Sequence, residues 1–225
     1  MLTLRHLALA AIIATAVPFA GLKLSALAEQ TAPRSEGEEL YRRGLYAEAV
    51  AWWTEKAAQG DVEAARRLGV EYMDGKRGVV ERDFEKARKY HMQAAMAGEP
   101  RSMLDLGTIY ENGYGVPESL TEAARWYGWG AKYGFGPAQY NYGLMLESGD
   151  GGRQDLVEAY MWYILGALEG FKKIPEAKFD LNRPPIDSPM GQLNPKLTPA
   201  QRAEAMKRAK AFVPMKGPLP ESENH

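Results

Sequence analysis

The chain has 225 residues, enough for one ordinary domain or one short repeat array, and 45% apolar with 25% charged residues marks a globular composition. Its net charge of −1 lacks the basic excess that a nucleic-acid or anionic-membrane surface needs, so neither is expected as a partner. No cysteine occurs, which excludes disulfides, thiolate zinc sites, iron–sulfur clusters and cysteine nucleophiles together.

In chain order, one arginine precedes the uncharged apolar run Leu7 to Leu22, and Ala26-Leu27-Ala28 offers small residues at the positions a signal peptidase reads. The run is shorter than the roughly 20 residues needed to span a bilayer. The pattern predicts a signal peptide over 1–28, cleaved after Ala28, then a linker over 29–35. The protein is thus expected to be periplasmic or secreted, with no membrane span after cleavage; an uncleaved anchor is the alternative. Cleavage removes Arg5 and Lys23 and leaves 26 basic against 29 acidic residues, a net of −3.

Beyond the linker, residues recur with a period of about 36. Ala49, Ala87, Ala123 and Ala159 form one column, with spacings of 38, 36 and 36. Trp52, Tyr90, Trp126 and Trp162 form a second, Ala57, Ala95, Ala131 and Ala167 a third, and Gly60, Gly98, Gly134 and Gly170 a fourth. Four columns in one register define repeat units over 36–60, 61–98, 99–134 and 135–174. The extra two residues of the longer spacing fall near Lys76 and Arg77, in a loop, where added length costs little.

Each unit reads as two helices. The first carries Leu68-Gly69, Leu106-Gly107 or Tyr142-Gly143, then Tyr72, Tyr110 or Leu146, and ends at Gly75, Gly113 or Gly149. A mid-helix glycine costs about 1 kcal/mol of propensity, so close approach of a neighbouring helix is expected there. The second helix opens at the N-cap types Asp83, Ser119 and Asp155, with Glu122 and Glu158 in the capping-box position. In the first unit the Leu-Gly column is expected to be missing, and Leu40 and Trp52-Trp53 are expected to carry the core. Residues 175–197 are proline-rich and read as a linker. Thr198-Pro199-Ala200-Gln201 then predicts a capping box opening a helix over 198–213, stopped by Pro214, with a tail over 214–225.

These residues resemble the Sel-1-like repeat, a relative of the tetratricopeptide repeat. The third unit matches best, with Leu106-Gly107, Tyr110, Gly113-Tyr114-Gly115-Val116, Ala123, Trp126-Tyr127, Ala131, Gly134 and Ala138. The second has Tyr90-His91 for Trp-Tyr, and the fourth lacks the loop valine. The resemblance covers about residues 36–174. It implies an all-α, right-handed α/α superhelix (a solenoid) of helix-turn-helix units with a C-terminal capping helix. It also implies the role of an adaptor for protein partners rather than an enzyme.

The residues offer little chemistry. His91 stands in the column of Trp53, Tyr127 and Tyr163 and reads as packing, and with His225 it is too sparse a set for a zinc site. No nucleophile elbow, phosphate loop or EF-hand spacing occurs, and Gly149-Asp150-Gly151-Gly152 reads as a turn. No catalytic residue, metal or cofactor is therefore expected. Trp129, Tyr133, Tyr140 and Tyr160 lie off the main columns and are either peripheral packing or anchors of a binding strip.

In tetratricopeptide-like solenoids the first helices line the concave groove. Carried over from the Leu-Gly anchor, that geometry gives three groove columns: Arg66, Leu104 and Tyr140; Arg67, Asp105 and Asn141; Val70, Thr108 and Leu144. These vary from unit to unit, as expected where each unit touches a different part of a ligand, or equally where the surface is unconstrained. The expected role is an extracytoplasmic scaffold binding a protein or peptide there. A cell-wall binding module or enzyme and self-assembly are the alternatives.

Overall fold

A computed structural model of the chain describes residues 35–75, 79–168 and 187–220. The expected signal peptide and most of the first linker, the loop residues 76–78, residues 169–186 and residues 221–225 lie outside these. Among the described residues ten α-helices follow one another, and the chain is an α/α solenoid. They are α1 (Glu36–Arg42), α2 (Tyr46–Ala58), α3 (Val62–Asp74), α4 (Phe84–Met96), α5 (Pro100–Asn112), α6 (Leu120–Lys132), α7 (Gly136–Ser148), α8 (Leu156–Leu168), α9 (Pro189–Leu193) and α10 (Pro199–Ala211). The seven from α2 to α8 each have 13 residues, so successive hairpins stack without overhang.

The helix starts follow the local sequence. Asp61, Asp83, Ser119 and Asp155 each accept a hydrogen bond from the amide three residues on, at 2.8, 2.9, 3.2 and 2.9 Å. Glu99 caps α5 in the same way, with Pro100 directly after it. Glu122 and Glu158 do not turn back as capping boxes would. They go instead to Arg125 and to the Trp162 indole.

Each hairpin packs on the next through the small and apolar columns. Ala49, Ala87, Ala123 and Ala159 are fully buried, as are Leu68 and Leu106. Burying one such leucine is worth about 2 kcal/mol. The mid-helix glycines sit under an aromatic or imidazole ring of the following helix. A Cβ on Gly69 would meet His91 at 2.6 Å, on Gly107 Tyr127 at 2.4 Å, and on Gly143 Tyr163 at 2.7 Å. The close approach is thus between a backbone and a ring.

The first unit corrects the expectation of a missing column. A Cβ on Gly37 would meet Trp53 Nε1 at 2.5 Å, so Gly37 in α1 does for Trp53 what Gly107 does for Tyr127. Only the leucine of the pair is absent, with Glu36 in its place. The off-column aromatics Trp129, Tyr133 and Tyr160 are buried, and Tyr140 is half-buried against Tyr163, with ring centroids 5.8 Å apart. Packing explains them.

At the C-terminal end α9 and α10 both lie on α8. Met190, Leu193 and Leu197, within the segment read as a linker, are buried with Trp162, Tyr163 and Ile164, as are Ala205 and Ala209 of α10. The proline-rich composition hid this anchor because a five-residue helix is too short to show a period. The predicted box is present, with Gln201 N donating to Thr198 Oγ1 and Thr198 N to Gln201 Oε1. After Phe212, which packs edge-on against Trp162, the chain runs back along the stack to Leu219.

Candidate binding face

The first helices of successive units touch one another, α3 against α5 and α5 against α7, more extensively than the second helices do. In a curved stack the layer whose members crowd together is the inner one. The inner layer therefore consists of first helices, and the nine residues expected to line the groove all lie on α3, α5 and α7.

Their environments differ. Arg66 is buried, and its guanidinium grips Glu63 in two bonds, Nε to Oε2 at 2.8 Å and Nη2 to Oε1 at 2.5 Å. Burial opposes the charge on Arg66, but the Glu63 carboxylate outweighs it and raises the guanidinium pKa further. Arg67 donates to Glu63 and to Glu38 of the first unit. Val70, Leu104, Asp105, Thr108, Tyr140 and Asn141 are half-buried, and Leu144 is exposed at 41%.

Two polar clusters sit between units. In the first, the buried His91 Nδ1 lies 3.3 Å from Ser102 Oγ and 3.5 Å from Asp105 Oδ2. Burial pulls the imidazole down to about 4, with the Arg66 charge adding to it and a hydrogen bond to the Gly69 backbone opposing. Burial pushes the Asp105 carboxyl up to about 7, helped by Glu99 and Asp74 and opposed by Arg66. Arg66 and Asp105, expected in neighbouring columns, thus act on each other across the α3–α5 junction.

In the second cluster the Tyr127 hydroxyl donates to Glu111 Oε2 at 2.6 Å, lies 3.2 Å from Thr108 Oγ1, and bonds Asn141 of the next unit. The fourth unit repeats the first of these contacts. Tyr163 donates to Glu147 Oε2 at 2.9 Å, and Lys196 from the C-terminal segment reaches Glu147 Oε1 at 3.0 Å. Burial and then the adjacent carboxylate push both phenols far above their usual range. Glu63, Glu111, Glu147 and Lys196 were not among the expected groove residues. Glu111 and Glu147 stand 36 apart, a spacing that announces them. Among the described residues no group of three or more His, Cys, Asp or Glu is placed to hold a metal ion.

This arrangement defines a helical-repeat solenoid with an inner face of mixed polar and apolar character. The Sel1 repeat model matches residues 62–99, 100–128 and 136–171. The chain carries three Sel1 repeats. It is similar to a Sel1 repeat protein from Oxalobacter formigenes, with 30% identity and a TM-score of 0.56 over 60% of this chain and 54% of that one. It is also similar to c5321, a protective antigen of uropathogenic Escherichia coli with an SLR fold, with 28% identity and a TM-score of 0.55 over 69% of this chain and 34% of that one. Among curated proteins it matches the chitin synthase regulator SKT5 of Saccharomyces cerevisiae, 33% identical over 35% of this chain and 11% of that protein. A component of an ERAD-associated E3 ubiquitin-protein ligase of Arabidopsis thaliana, HRD3A, is 38% identical over 34% of this chain and 11% of that protein. The matched region spans about a tenth of the length of these curated relatives.

Proposed function

We propose that this chain is a non-catalytic protein-interaction scaffold of the extracytoplasmic space, binding a partner protein or peptide on the inner face formed by α3, α5 and α7. The crowding of the first helices into one layer supports the reading, because Arg67, Val70, Leu104, Thr108, Asn141 and Leu144, which vary from unit to unit, all lie on those helices. Within that layer Arg66, Asp105 and Tyr140 are engaged by Glu63, His91 and Tyr163, Arg67 by Glu63 and Glu38, and Thr108 and Asn141 by Tyr127, which leaves Val70, Leu104 and Leu144 as its apolar points. The named relatives, a regulator of an enzyme and a component of a ligase, point to the same kind of work. The N-terminal apolar run supports export, and among the described residues no helix is long and apolar enough to cross a membrane.

A photo-crosslinking residue at Leu144 or Leu104 tests this in the native cell, with Lys89 on the outer α4 as control. Discrete adducts are expected from 104 and 144 and none from 89. Equal yields from all three positions would remove the inner face from consideration.

A further inference from the structure

Leaving α10, residues 212–220 pass from the fourth unit towards the second across the C-terminal ends of the second helices. Met215 donates its amide to the Lys132 carbonyl and Leu219 donates its own to the Met96 carbonyl, both at 2.9 Å. Lys132 and Met96 close α6 and α4 and hold the same position in successive units, 36 residues apart. The last carbonyls of a helix have no partner within it and are free to accept. Four residues of extended chain reach about 13 Å, so a segment lying along this edge meets one such carbonyl per unit.

The path is cleared by glycine. A Cβ on Gly98 would stand 2.0 Å from the Gly217 carbonyl oxygen, and one on Gly134 3.0 Å from the Pro214 ring. Leu219 is buried in the cluster of Trp129, Tyr133, Met103 and Leu106. Between these ends the hold is slight, since every residue from 213 to 218 is exposed. Tyr133, nine-tenths buried in the same cluster, has a hydroxyl with no hydrogen-bond partner. A buried hydroxyl left unsatisfied is unfavourable, and the chain's own segment does not relieve it.

The geometry points to a second binding edge, separate from the concave face and independent of it. Its ligand is an extended peptide that donates main-chain amides four residues apart, plants a leucine beside Trp129 and Tyr133, and carries a polar side chain to the Tyr133 hydroxyl. Residues 212–220 occupy this edge as an imperfect ligand, and a partner segment of that pattern displaces them.

The test uses the full chain with its strap unseated by Met215→Pro and Leu219→Asp, and a fluorescent synthetic peptide of residues 211–220. The folded variant is expected to bind the peptide at least ten-fold more tightly than the unaltered protein, whose edge is already filled. A peptide carrying Leu219→Asp should not bind. Among peptides with Asn at position 213, 216 or 218, at least one should bind more tightly than the parent, and this gain should vanish in a Tyr133→Phe protein. Met215→Pro alone, which removes one amide and nothing buried, should give the same order with a smaller difference if the double variant unfolds. Equal binding by filled and unseated protein, or indifference to the leucine, would overturn the edge as a site. No Tyr133-dependent gain would reduce the strap to a permanent closure and sink the partner.

Discussion

In the third and fourth units the ring over the first-helix glycine is a tyrosine, and in the second it is His91. All three rings fill the same hollow, at 2.4 to 2.7 Å from where a Cβ on Gly107, Gly143 or Gly69 would stand. They differ in reach. The tyrosine hydroxyls extend to Glu111 and Glu147 on the first helix of their own unit, and Tyr127 reaches Asn141 of the next unit as well. The shorter imidazole meets Ser102 and Asp105 of the following unit. The same shape therefore makes two kinds of joint, one centred on a carboxylate of its own hairpin and one wholly between hairpins, and the second holds the half-buried Asp105 carboxyl, pushed up to about 7.

The largest expected effect breaks what the two joints share. Gly107→Val forces two methyl groups into the Tyr127 ring and should cost about 3 kcal/mol, read by urea unfolding. Shrinking the ring in the double variant Gly107→Val, Tyr127→Ala should give less loss than the two single losses added together. Additive losses would show that the ring and glycine do not share the hollow.

The next separates the joints by pH. The folded Asp105 titrates at about 7, above its ordinary 3.8, so the stability it lends is complete below about 4 and is lost as pH rises through 7. His91, held neutral to about 4, works in the other sense: its contribution is complete above 6.5 and fades as pH falls towards 4. Asp105→Asn should therefore stabilise the protein at pH 8 and leave it nearly unchanged at pH 4. The gain should be about 2 kcal/mol, roughly half the full linkage value because a third of the side chain still meets water. Urea titrations at both pH values check it, and an equal effect at the two would remove Asp105 from the titrating joint.

Tyr127→Phe should cost about 1.5 kcal/mol at pH 8, read by the same urea titration, since it deletes the hydroxyl's bonds to Glu111 and Asn141. No loss at pH 8 would show that the hydroxyl adds nothing to its joint. Thr198→Ala, far from both, should cost about 1 kcal/mol through its cap. Leu144→Ser should stay within about 0.5 kcal/mol of the parent while weakening the crosslink from position 104.

Most of the stack was legible because its columns repeat: alanines, rings and glycines in one register leave few alternatives for the fold. Gly37 escaped because it precedes its ring Trp53 by 16 positions, where Gly107 precedes Tyr127 by 20, so it falls out of the column. The nine groove candidates all lie on first helices, but which of them neighbours take up is not legible in the sequence. Arg66 looks free in the sequence, yet Glu63 three residues before it lies on the same helical face and takes it up. The strap over 212–220 left no trace, because two main-chain amides and the single side chain of Leu219 hold it, and these make no periodic pattern.

From Ala159 to Ala167 every residue of α8 is hidden, with α7 on one side and α9 and α10 on the other. A further hairpin has nowhere to dock at that end unless α10 first lets go. At that end the array therefore has a finished face rather than a frayed margin.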